Sequence, residues 1–147
     1  MLDKSLIGRA LHTSTLPVEK GALRIFAKAI GESSPIYTDE TAARNAGYTS
    51  LPVPPTFLTC LEAQAFDPAR VIELAKLDLR RILHAEQQFT YHAMAFAGDE
   101  LTFTTRIADI YDKKGGALEF LVTESRVTNQ HGVHLADIRC SLVQRNS

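Results

Sequence analysis

The chain has no tryptophan and only two cysteines, Cys60 and Cys140, in 147 residues. Neither cysteine lies in a CxxC pair, and no His or Cys stands at ligand spacing around either. A disulfide scaffold and a zinc ribbon are therefore both argued against, and no metal site is expected. Both thiols fall on apolar faces and read as small buried hydrophobes. A surplus of either charge is also missing: 16 Lys and Arg face 17 Asp and Glu, for a net charge of -1. Nucleic-acid binding usually leaves a basic excess, and an anionic membrane surface calls for a polybasic cluster. Neither partner is expected. No apolar run approaches the ~20 residues of a membrane-spanning helix. The stretch from Met1 to Gly8 has no signal-peptide pattern, so the chain reads as cytoplasmic. Without repeats, low-complexity segments or a linker, residues 1–147 read as one domain, long enough to bury a core without disulfides or metals.

What is present divides into a helical half and a strand half. Leu23, Phe26, Ala27 and Ile30 recur at helical spacing across 18–30, and Gly31 supplies the stop. After the loop from Glu32 to Tyr37, a short helix is expected over 39–46, capped by Thr38 or Asp39 and closed by Gly47. Pro52, Pro54 and Pro55 stiffen the next segment, because each fixes φ and removes a backbone donor. Pro55 suits the first turn of a helix, and that helix is expected over 55–65, with Phe57, Leu58, Leu61 and Ala65 making it apolar on most sides. Residues 69–81 fit either a helix or an extended connection.

From Leu83 onward the period changes to two. Leu83, Ala85, Phe89 and Tyr91 alternate with His84, Glu86, Gln88 and Thr90. Leu101, Phe103 and Ile107 mark a second strand, residues 118–127 a third, and Ala136, Ile138, Cys140 and Leu142 a fourth. Turns at Ala97-Gly98-Asp99, Lys113-Lys114-Gly115-Gly116 and Asn129-Gln130-His131-Gly132 are short, which requires antiparallel neighbours. One antiparallel sheet with an apolar face, covered by an apolar helix, is an α+β architecture.

Five segments in order resemble the MaoC-like dehydratase family: Phe26-Ala27-Lys28-Ala29-Ile30-Gly31-Glu32, Ser34-Pro35-Ile36-Tyr37, Pro54-Pro55-Thr56-Phe57, the run from Leu83 to His92, and Ala97-Gly98-Asp99-Glu100-Leu101. The likeness covers about Gly8 to Arg145. It implies a hotdog fold, a curved antiparallel sheet wrapped around a long central helix, pairing as a double hotdog of two like or unlike subunits. It also implies a substrate, the acyl thioester of coenzyme A or of a carrier protein's phosphopantetheine, with no other cofactor. The reaction implied is (R)-specific hydration of a 2-enoyl thioester, or dehydration of the (3R)-hydroxyacyl thioester.

In active members of this family the loop reads Asp-x-Asn-Pro-x-His, a carboxylate and an imidazole that share one water. Here the corresponding residues are Glu32, Ser34, Pro35 and Tyr37, and only the proline matches. Glu32 keeps a carboxylate but moves it by a methylene, and a displacement of about 1 Å can cost on the order of a hundredfold in rate. Tyr37, with an ordinary pKa of about 10, is a poor base at neutral pH, although its phenol can donate a hydrogen bond. Pro55 and Thr56 open the central helix, whose free N–H groups would face the thioester carbonyl, with the Thr56 amide as candidate oxyanion donor. His84 and Glu86, two apart on one strand, form a second candidate acid–base pair beside their plainer reading as a surface pair. His92 closes its strand and reads as exposed, His131 and His134 flank a turn and read as solvated, and His12 has no assignable partner. Three functions stay open: a self-sufficient hydratase using Glu32, Tyr37 and His84; a non-catalytic acyl-binding subunit; and a thioesterase, since fold alone does not fix chemistry.

Overall fold

Residues 1–146 are described by a computed structural model. Five strands, β1 (Ala10–Pro17), β2 (Ile82–Tyr91), β3 (Glu100–Lys113), β4 (Leu118–Thr128) and β5 (His134–Arg145), form one sheet in the order β1-β3-β4-β5-β2. Every neighbouring pair is antiparallel. The β3–β4 connection takes positive φ at Lys114, Gly115 and Gly116, a twist that two glycines accept without a Cβ clash. β1 has no counterpart among the expected strands. Thr13, Ser14 and Thr15 dilute its alternation, and it is held as an edge by pairing with β3 and by a Thr15–Thr102 hydroxyl contact of 2.8 Å.

Four helices accompany the sheet: α1 (Lys20–Ala29), α2 (Glu40–Asn45), α3 (Phe57–Ala65) and α4 (Pro68–Ala75). Asp39 caps α2, its carboxylate accepting from the amides of Thr41 and Ala42. The helix read at 55–65 begins two residues late, because Pro54 and Pro55 form the preceding turn and the Phe57 amide donates to the Pro54 carbonyl at 2.9 Å. The segment 69–81 resolves into α4 and a 3-10 turn at Leu79–Arg81.

Phe57, Leu58 and Leu61 of α3 are buried against Leu101, Phe103, Val127, Ala136 and Ile138 of the sheet, with Leu23 of α1 and Ala43 of α2 in the same core. A second core lies under α4 and the N-terminal turn, where Leu6, Leu11, Val71, Ala75, Ile107, Ile110 and Leu121 meet. This is the expected α+β hotdog, a sheet closed over an apolar helix.

Two of the sheet's four register shifts decide where the side chains of the site point. On β2, His84 pairs with Leu142 and Glu86 with Ser141, leaving Ala85 as the extra residue. On β5, Ala136 pairs with Val127 and His134 with Thr128, leaving Leu135 extra. Each extra residue reverses the face of everything beyond it.

Candidate active site and a second cavity behind the central helix

The predicted loop starts from a helix stop. Gly31 sits at φ 72°, its amide donating to Lys28 and the Glu32 amide to Ala27, the paired bonds of a Schellman ending. That ending fixes the exit of the chain. The Glu32 carboxylate then folds back to accept from the Ser34 amide at 2.8 Å. Glu32 is exposed and Ser34 half-buried. Pro35–Tyr37 form one 3-10 turn, anchored by the Arg24 guanidinium, which donates to the Thr38 carbonyl at 2.8 Å.

This turn delivers Tyr37 to the wall of a cavity of about 310 Å³ at the start of α3, where it meets Pro55, Leu58, Tyr91, His92, Met94 and Leu135. Burial pushes the Tyr37 phenol above the ordinary tyrosine value, and the nearby Glu32 and Tyr48 add to the shift. Tyr37 is therefore a neutral hydrogen-bond donor at physiological pH. The Tyr91 hydroxyl donates to the Pro55 carbonyl, tying the end of β2 to the entrance of α3. Of the expected substrate contacts, Pro55 lines this cavity, while Thr56 is exposed at the N-cap of α3.

His84 lies elsewhere. The Ala85 bulge turns it onto the inner face with Gln87, whose Oε1 is 2.9 Å from its Nε2. Together they line a second cavity of about 290 Å³, behind α3, with Thr59, Glu62, Thr105 and Cys140. The expected adjacency of His84 and Glu86 is corrected by this bulge. Strict alternation would set them on one face, but Ala85 interrupts the ladder between them, and Glu86 is exposed. Leu83, expected on the inner face, is 55% exposed for the same reason.

From the wall of the second cavity, where Glu62 and Thr105 stand, a polar chain runs through Ser125 and toward His12. The Ser125 hydroxyl donates to Glu62 and lies 2.7 Å from Thr105, which lies 3.5 Å from His12. Burial raises the Glu62 carboxyl above the usual glutamate range, with the Ser125 hydrogen bond opposing it. Cys140 is pushed up to about 11 by burial and by the charge of Glu62, which leaves it an unreactive thiol.

From the sequence, His92 reads as exposed and His134 as solvated. The structure brings both to Asp137: His92 Nε2 stands 2.8 Å from one carboxylate oxygen and His134 Nε2 stands 2.9 Å from the other. Thr90 pairs with Asp137 across β2 and β5, so His92, two residues on, faces the same side. The period-two pattern contained half of this signal. The Leu135 bulge that turns His134 to join them did not show in it.

This sheet, with α3 against its apolar face and a cavity at the helix entrance, defines a hotdog protein of the MaoC-like dehydratase type. The sequence matches the model of the FAS1-like dehydratase domain region over residues 5–138, and the chain belongs to that family. A UPF0336 protein of Parafrankia sp. (strain EAN1pec) is 37% identical over 99% of this chain and 96% of its own length. A UPF0336 protein of Streptomyces coelicolor is 36% identical over 98% and 95%. Among solved structures, the C-terminally truncated HadBC (3R-hydroxyacyl-ACP dehydratase) complex of Mycobacterium tuberculosis matches with a TM-score of 0.75 and 25% identity, over 93% of this chain and 96% of that one. The ChsH1–ChsH2 complex of the same organism matches in fold with a TM-score of 0.75 and 18% identity, over 93% and 84%. No helix among the described residues is long and apolar enough to cross a membrane.

Proposed function

We propose that this chain is the thioester-holding hotdog subunit of a (3R)-hydroxyacyl-thioester dehydratase, and that a second hotdog chain supplies the carboxylate and imidazole. The observation that carries this reading is the state of the loop. Glu32, the one carboxylate in it, accepts from the Ser34 amide of its own turn, and Tyr37, where an imidazole is needed, has a phenol held above its ordinary pKa. Glu32 does not line the cavity, and a phenol with a raised pKa is no base near neutral pH.

The same cavity suits an acyl thioester. Its wall is mostly hydrocarbon from Val53, Leu58, Met94, Ala95 and Leu135, and the phenol of Tyr37 is available to donate to the thioester carbonyl. The N-terminus of α3, with the Thr56 amide, adds a favourable dipole for charge developing on that oxygen. During dehydration a base on the partner removes the proton from C2, the C2=C3 bond forms, and hydroxide leaves C3 with a proton from the partner's acid. The pantetheine arm belongs to the substrate, whether coenzyme A or carrier protein, and no further cofactor enters. Pairing is favoured by β2, which bonds to β5 on one side only and leaves Leu83 and Tyr91 exposed along its edge. One solved neighbour is by name a 3R-hydroxyacyl-ACP dehydratase complex, and another is by name a complex of two proteins.

The test is hydration of crotonyl-CoA and of a longer 2-enoyl-CoA. The purified chain alone should give no hydration. Co-expression with a hotdog chain carrying an intact Asp-x-Asn-Pro-x-His loop should restore it, and Glu32→Ala in that complex should leave kcat within about twofold. Hydration by the isolated chain that disappears in Glu32→Ala would overturn the reading in favour of a self-sufficient hydratase. Release of free thiol without hydration would identify a thioesterase.

A further inference from the structure

The rim of the first cavity carries a cluster that thioester binding does not use. His92, His134 and Asp137 present two imidazole nitrogens and a carboxylate whose ligand atoms all lie within 4.8 Å of one another. We propose that these three side chains form a binding site for one divalent transition-metal ion of the Zn²⁺ class.

The case begins with how the sheet builds the cluster. His134 and Asp137 are three residues apart on β5, so in a regular strand they would face opposite sides. The extra residue, Leu135, cancels that mismatch and turns His134 to the side of Asp137. The bulge is held firmly, because Leu135 is buried and its carbonyl accepts from the amides of both His92 and Ala93, at 2.8 and 3.1 Å. That pair of bonds also fixes the backbone of the third ligand. The donors are thus mounted on β5 and on the residue that follows its partner strand β2, tied together through the Leu135 carbonyl, the rigid footing a preformed site needs.

The chemistry of the donors selects the ion. Two imidazoles and one carboxylate suit Zn²⁺, Co²⁺ or Ni²⁺; Mg²⁺ and Ca²⁺ prefer all-oxygen sets. Both Nε2 atoms already converge on the carboxylate, with the imidazole rings 4.2 Å apart between centroids. A tautomer shift of each neutral ring moves its proton to Nδ1 and frees the Nε2 lone pair, so a dication can replace the two N–H bridges without net loss of protons. All three side chains keep partial solvent access, at 40%, 28% and 39% exposure for His92, His134 and Asp137, which leaves room for an ion to enter and for water to complete a tetrahedral shell.

The test is direct binding to the full chain after chelator treatment, with ZnCl₂ followed by calorimetry at pH 7.5 and CoCl₂ followed by its visible absorption. One Zn²⁺ per chain is expected, together with the strong visible bands of four-coordinate Co²⁺. His134→Ala and Asp137→Ala should each weaken Zn²⁺ at least tenfold. His131→Ala, an exposed histidine on the adjoining turn, should leave binding within twofold. His92→Gln supplies a milder second variant and should also weaken it at least tenfold. Zinc should raise the thermal midpoint of the wild-type chain and not that of His134→Ala. Absence of saturable one-to-one binding would overturn the proposal, as would equal losses in His131→Ala and His134→Ala. Either result would leave the cluster as a hydrogen-bonded clamp between β2 and β5.

Discussion

The two cavities on either side of α3 are alike in size and in their hydrocarbon walls, and differ in where their polar groups lie. The first, at the helix entrance, is walled by hydrocarbon and touched by polar groups only at its rim, from Tyr37, Tyr91 and His92. The second, behind the helix, is also largely hydrocarbon, but a half-buried carboxyl and a hydroxyl chain run from Glu62 through Ser125 and Thr105 toward His12. One nine-residue helix serves both, with Leu58 facing the first and Thr59, Glu62 and Ala63 facing the second. The difference teaches where function and stability separate. Groups at the first rim are accessible and replaceable, whereas the polar chain in the second must stay satisfied or cost stability.

The largest effect should come from the helix that both cavities share. Leu61 is 2% exposed and anchors α3 in the main core. Leu61→Ala should lower stability by about 2–5 kcal/mol, read as a reduced urea midpoint at unchanged m-value. A loss under about 1 kcal/mol would mean that α3 is not the common wall described here.

Two symmetrical tryptophan insertions sharpen the comparison. Ala93 lines the first cavity and Ala63 the second, and both are exposed. The chain has no tryptophan of its own, so each insertion is also a lone fluorescent reporter. Ala93→Trp should weaken a short 2-enoyl-CoA at least tenfold, and Ala63→Trp by less than about threefold, a separation of roughly 0.7 kcal/mol or more. The reverse order, read by fluorescence titration, would move the thioester to the second cavity.

The smallest effect is one of pH. The Glu62 pKa is raised in the folded chain, so the protonated carboxyl is the form that folding favours. Its contribution is fully present below the unfolded glutamate pKa and is lost as pH rises through the folded value. Glu62→Gln keeps the neutral shape at every pH. The stability of the variant relative to wild type should therefore improve from pH 4 to pH 7.5, measured by denaturant unfolding. A constant difference across that range would show that Glu62 does not titrate with folding.

The fold was legible because its signals are local. Apolar spacing at Leu23, Phe26, Ala27 and Ile30 marks α1, and Phe57, Leu58 and Leu61 mark α3; glycine-bearing turns separate the strands. β1 escaped because its pairing with β3 spans most of the chain while its own residues, Thr13 to Thr15, are polar. The site was legible only in its loop, where Ser34-Pro35-Ile36-Tyr37 marks the turn that carries Tyr37 to the cavity. His84 and Glu86 were separated, and His92, His134 and Asp137 united, by single extra residues at Ala85 and Leu135.

That loop also marks what each level determined. The sequence by itself decided that a tyrosine stands where its family's active members place an imidazole, and that one carboxylate, Glu32, remains beside it. The tertiary structure alone decided that the carboxylate turns to the Ser34 amide and that burial lifts the phenol still further above its ordinary pKa. It alone also gathered a His–Asp–His cluster at the rim of the same cavity. The physical reason is that residue identity fixes which protons and lone pairs exist, while strand register and desolvation fix where they point and at what pH they move.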